Sequence, residues 1–107
     1  MTRVYKILTR AEWEQALDLG RFEGSAVDLR DGFIHLSDAA QRAETLRLHF
    51  AGQTDLLLVG FEAESLGAAL KWEPSRGGAL FPHLYGPMPV AAAASVEPIE
   101  DPPGEGA

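Results

Sequence analysis

The run "DLLLVGFEA" (Asp55 to Ala63) most constrains what this chain can fold into. It is continuously apolar and of strand length, without the helical spacing that would leave one face polar. A strand of that kind reads as the centre of a sheet covered on both faces. Other runs supply its neighbours. "VYKIL" (Val4 to Leu8) alternates and is rich in β-formers, "FIHLS" (Phe33 to Ser37) follows the Asp31-Gly32 turn signal, and "ALKWE" (Ala69 to Glu73) and "VAAAASVEPI" read as further strands. In "ALKWE", Leu70 and Trp72 are expected to face the core and Glu73 the other side.

Two helices are expected against this sheet. Thr9 with Glu12 forms a capping-box pattern, Trp13, Ala16, Leu17 and Gly20 follow at helical spacing, and Gly20 closes a helix over 10–19. Ser37 or Asp38 caps a second helix over 38–51, with Ala39, Ala43, Leu46 and Phe50 as its stripe and Gly52 beyond its end. Ser25 caps a single turn through Leu29, and "ESLG" is another turn. "PSRGGALFPHLYGPMP" reads as a long loop, because its prolines and glycines interrupt any ladder. The fold class is therefore α+β: one small domain over 1–100, with a bent or split mixed sheet and two main helices, and an acidic Pro/Gly tail over 101–107 that is expected to be disordered.

Composition narrows the function. With no cysteine in 107 residues, disulfides, thiolate metal sites and thiol nucleophiles are excluded. Nine basic residues against sixteen acidic ones give a net charge of −7, the reverse of the footprint of general nucleic-acid binding. A local Arg cluster still suits an anionic small molecule. Nothing approaches the roughly 20 apolar residues of a bilayer span, and the N-terminus, charged at Arg3, Lys6 and Arg10, has no signal-peptide core, so a soluble, cytoplasmic protein is expected. There is no HExxH, no GxSxG and no carboxylate group at metal-binding spacing.

Two polar islands stand out in apolar context. In a regular strand Phe33, His35 and Ser37 share one face, opposite Ile34 and Leu36. This arrangement fits the floor of a cleft, or equally a buried histidine with Ser37 as a helix cap. "FPHLYG" places His83 and Tyr85 in a segment held between prolines, fit either for binding or for a stiff packed corner. Convergence of His35, Ser37, His83 and Tyr85 on one concave site is the expectation. Glu73 fits a base or a stabiliser of a cationic transition state, or else an edge-strand charge. Arg76 precedes Gly77-Gly78 in a position to meet a phosphate, although the strand-to-helix setting of a phosphate loop is absent. Gln41, Arg42 and Thr45 follow the first island closely enough to face its cleft, whereas His49 reads as a surface residue near a helix end.

"YKIL", Trp13, Ala16, "DGFIHLS", Gln41, Thr45, Phe50, "LLL", Trp72-Glu73 and "FPHLYG", in that order, resemble the bacterial family called domain of unknown function 952. That resemblance implies an ADP-ribosyltransferase-like fold with a cleft for NAD. By position, His35 resembles the histidine that holds a ribose in that fold, and Glu73 or His83 the glutamate at the reacting centre. The first reading built on this is an enzyme of ADP-ribosyl transfer or glycohydrolase type, with His35 and Ser37 contacting a ribose, Arg42 or Arg76 the pyrophosphate, Tyr85 the ligand, and Glu73 or His83 the reacting centre. No His-Tyr-Glu or Arg-Ser-Glu triad is evident in this chain. A module that binds a small ligand without catalysis, and an interaction protein with structural histidines, are the competing readings.

Overall fold

A computed structural model describes residues 2–99, except for the side chain of Arg76. The tail expected over 101–107 lies outside the described residues. In chain order the elements are β1 (Arg3–Thr9), α1 (Arg10–Leu19), β2 (Arg21–Phe22), α2 (Ala26–Asp31), β3 (Ile34–His35), β4 (Ser37–Asp38), α3 (Arg42–His49), β5 (Leu56–Glu62), α4 (Ala63–Leu66), β6 (Leu70–Ser75), β7 (Ala79–Leu84), β8 (Met88–Pro89) and β9 (Ala93–Ile99). The strands form a four-stranded sheet in the order β4-β1-β5-β9, a three-stranded sheet β3-β7-β6 and a two-stranded ribbon β2-β8. The fold is α+β, but every pairing among the described residues is antiparallel, so the sheet system is split and not mixed.

The apolar run 56–62 lies inside the larger sheet, paired along its whole length with β1 and on its other edge with β9. Its Leu57, Val59 and Phe61 meet Val4, Leu8, Trp13 and Met88 in the core. Burying each such side chain contributes about 1.5–3 kcal/mol. Gly60 is required by close approach: a Cβ there would stand 2.6 Å from Ser95 Oγ and 3.1 Å from Arg3 Cδ.

Helix α1 forms as the sequence dictates. The Thr9 hydroxyl accepts from the Glu12 N–H (3.0 Å), the Glu12 carboxylate accepts from the Thr9 N–H (2.9 Å), and Gly20 ends the helix at φ 88°. Trp13 and Ala16 are buried, while Leu17 of the expected stripe is exposed.

Four expectations are corrected. First, "FIHLS" is not one strand: β3 pairs with β7 while β4 pairs with β1, so the chain crosses from one sheet to the other at the buried Leu36. Second, α3 starts at Arg42, because Asp38 is held in β4 and closes a reciprocal turn with Gln41; no α3 residue is fully buried, and Ala39 and Ala43 are exposed. Third, the expected loop 74–89 contains β7, the middle strand of its sheet. Pro82 is tolerated there because β3 has ended opposite it, and its carbonyl still accepts from Leu36 N–H at 3.0 Å. Fourth, Trp72 is 38% exposed on the edge strand β6 and does not face the core.

Candidate functional site

The first half of the site is built around a buried ion pair. Alternation along β1 puts Lys6 on the same face as Val4 and Leu8, so its stem lies in the core and its ammonium must find a partner. That partner is Asp28, the third residue of α2, whose Oδ2 accepts from Lys6 Nζ (2.9 Å) and from Ser25 N–H (2.9 Å). Lys6 also donates to the His35 carbonyl (3.1 Å). The other Asp28 oxygen accepts from His35 twice, from the backbone N–H at 3.1 Å and from Nδ1 at 2.6 Å. Burial alone would raise the Asp28 carboxyl. The His35 hydrogen bond, the Lys6 charge and hydrogen bond, and the Ser25 N–H outweigh it and hold the group well below the usual carboxylate range. On the open side, Asp31 at the end of α2 places Oδ2 3.0 Å from His35 Nε2 and pairs through Oδ1 with Arg30. The Arg30 hydrogen bond, above all, lowers its carboxyl.

The second half comes from β6 and β7. His83 lies opposite His35 across the β3–β7 pair and opposite Lys71 across the β6–β7 pair, so Glu73 is its diagonal neighbour on the same face. Glu73 Oε1 accepts from His83 Nδ1 (2.8 Å) and from the Tyr85 hydroxyl (2.7 Å). The His83 hydrogen bond chiefly lowers the Glu73 carboxyl, and the bond to Glu73 raises the Tyr85 phenol. The ring centroids of His35 and His83 are 5.8 Å apart, and Phe33 touches both.

These two halves meet at a cavity of about 630 Å³. His35, Ser37 and His83 line it together, with Thr45, Asp31 and Arg30. The Ser37 hydroxyl donates to the Thr45 hydroxyl at 3.0 Å, which keeps both on the wall where the two sheets diverge. His49, expected to be a surface residue, stands exposed at the rim of the same cavity. Tyr85 and Glu73 are not among its lining residues; they lie behind His83 and hold it. Arg42 and Gln41 are not among the lining residues: the Arg42 guanidinium carbon lies 4.5 Å from the centroid of the Tyr5 ring, and Gln41 donates to the Leu80 carbonyl. The side chain of Arg76 lies outside the described residues.

Sequence reasoning missed Lys6, Asp28 and Asp31. One signal was available for Lys6, a lysine on the apolar face of an alternating strand. Another was available for Asp28, since Ser25-x-x-Asp28 is a capping pattern that puts a carboxylate at a fixed place beside the following strand. Each imidazole has Nδ1 fixed by a carboxylate, the arrangement that sets a histidine's tautomer and aims its other nitrogen. Among the described residues no three His, Asp or Glu side chains gather to hold a metal ion.

A family model described as a protein of unknown function, DUF952, matches residues 7–96. The chain belongs to the DUF952 family. The DUF952 match spans both large sheets and takes in Asp28, Asp31, His35, Glu73 and His83. Among solved structures, this DUF952 chain is similar to the crystal structure of protein CC0527 from Caulobacter crescentus, with 59% identity and a TM-score of 0.87 over 89% of this chain and 83% of that one. It is similar also to the solution NMR structure of CC0527, with 57% identity and a TM-score of 0.83 over 94% and 86% of the two chains. No curated protein matches it. No described helix is long and apolar enough to cross a membrane.

Proposed function

We propose that the cavity binds a nucleotide or a similar phosphorylated small molecule, with NAD and its relatives as the class. One observation carries this reading: two imidazoles, each fixed through Nδ1 by a carboxylate, face one cavity of ligand size from opposed strands. His35 and His83 engage ribose hydroxyls, the aromatic rings of Tyr5, Phe50 and Phe81 on the walls take a base, and Arg30 at the cavity meets phosphate. An ADP-ribosyltransferase-like fold, which the family resemblance implies, would favour NAD, since in that fold a histidine on an early strand holds a ribose. Glu73 favours a second reading on the same cavity, binding without ADP-ribosyl transfer, because its Oε1 is already engaged by His83 and Tyr85 and it does not line the cavity.

The experiment is a titration of NAD, ADP-ribose and AMP into the protein, following the histidine ring resonances, with His35→Ala as the control. Both imidazoles are expected to shift in the wild type and binding to weaken in the variant. Ring resonances unmoved by ligand on the order of millimolar concentration would end the nucleotide reading.

A further inference from the structure

We infer that His35 and His83 form a proton donor and acceptor pair that releases the base from a purine nucleoside monophosphate by hydrolysis. The inference rests on the proposed nucleotide site and adds to it a reaction and a narrower substrate class.

Hydrogen-bond geometry separates the two rings. His35 has a carboxylate oxygen at each nitrogen, Asp28 at 2.6 Å from Nδ1 and Asp31 at 3.0 Å from Nε2. A neutral imidazole donates one hydrogen bond; only the protonated ring donates to both. His83 has a carboxylate at Nδ1 alone, and that oxygen also takes the Tyr85 hydroxyl. With Nδ1–H donating to Glu73, His83 presents an unprotonated Nε2. The His83 ring is buried, with its centroid 5.8 Å from that of His35. The charged and titratable groups around the pair are Lys6, Asp28, Arg30 and Asp31 for His35, and Glu73, Tyr85 and, directly across the β6–β7 pair, Lys71 for His83. Asp28 is buried and committed, whereas Asp31 stands at the open side of the cavity, where a ligand nitrogen can replace it at Nε2.

A donor and an acceptor on one cavity suit a reaction that needs both at once. Nicotinamide departs from NAD as a neutral molecule and takes no proton, so the donor would be idle. Adenine departing from a ribose must be protonated. In the step proposed, a water oxygen bonds to C1′ as the C1′–N9 bond breaks and its electron pair leaves with the purine. His83 Nε2 takes a proton from the water, and His35 gives its Nε2 proton to the purine. The products are adenine and ribose 5-phosphate.

The test incubates the full chain with AMP and measures free adenine by chromatography, alongside the protonation of the ring nitrogens by NMR. Adenine release is expected from the wild type and is expected to fall about 100-fold or more in His35→Gln and in His83→Gln. Asp31→Asn, at an exposed position, keeps the fold and is expected to slow release while leaving His83 unchanged. In the free protein the NMR is expected to show the proton pattern that the contacts dictate, a hydrogen toward each carboxylate at the two His35 nitrogens and one at Nδ1 of His83. Ring shifts on adding AMP without adenine release would overturn the inference and leave the binding function standing. A His35 ring with one proton would overturn the donor assignment, and AMP that moves neither ring would remove both the reaction and the site it rests on.

Discussion

Phe33 lies stacked on His83, with ring centroids 4.0 Å apart and an interplanar angle of 24°, and its centroid is also 4.5 Å from that of His35. One aromatic ring is therefore in contact with both imidazoles. Phe33→Leu keeps most of the apolar volume and loses the flat contact. Thermal denaturation is expected to show a loss of about 0.5–1.5 kcal/mol, and the two histidine ring signals are expected to broaden together. Sharp, unshifted signals would mean that the carboxylates alone fix the rings.

Asp28 forms a buried ion pair with Lys6. Replacing it with Asn leaves Lys6 charged and buried, and denaturant unfolding is expected to show a loss of about 3–5 kcal/mol. The double change Lys6→Met with Asp28→Leu removes both charges and is expected to cost less than Asp28→Asn alone.

Acid unfolding reports on the same group. Because the folded state holds the Asp28 carboxyl below its ordinary value of 3.8, its contribution is fully present above that pH and is lost as pH falls below it toward the depressed folded value. Stability of the wild type should therefore decline through this acid window. The Asp28→Asn curve should be flatter there, and parallel curves would assign the acid sensitivity to other carboxylates.

Glu73 holds Tyr85 as well as His83. The phenol donates to a carboxylate, which favours its neutral form and raises it. In Glu73→Gln the tyrosine should ionise at lower pH than in the wild type, as followed by ultraviolet absorbance with Tyr5→Phe to isolate the signal. An unchanged titration would break the proposed link between Glu73 and Tyr85.

Gly60 offers a test of the sheet that carries β1. The Cβ of Gly60→Ala would collide with Ser95 Oγ at 2.6 Å, and a loss of about 1–3 kcal/mol is expected on chemical denaturation. Adding Ser95→Ala should recover part of it; no recovery would place the strain at Arg3 and Tyr5.

The elements that could be read from the sequence were those with local causes. The Thr9/Glu12 box and Gly20 bound α1 because their partners are three and four residues away. The run at 56–61 is central because no side chain in it needs water. What could not be read depends on distant partners. Pro82 argues against a strand until it is known that β3 stops opposite it. Trp72 looks like core until β6 proves to be an edge. The same rule divides the site. The histidines stood out as polar islands, but Lys6 and Asp28 are 22 residues apart and each has an ordinary local explanation, a strand charge and a helix cap. Only their meeting gives them meaning.

The crossing at Leu36 also has a kinetic consequence. Its two flanks are secured by strands on opposite sides of it in the sequence: β4 by β1, made about thirty residues earlier, and β3 by β7, nearly fifty residues later. Contacts of such long span close slowly. A chain growing from its N-terminus can complete β1, α1 and α2 and still have His35 without its counterpart. The paired-histidine wall of the cavity must then form late, with the last cooperative phase of refolding, and a fragment that stops short of β7 lacks its His83 half.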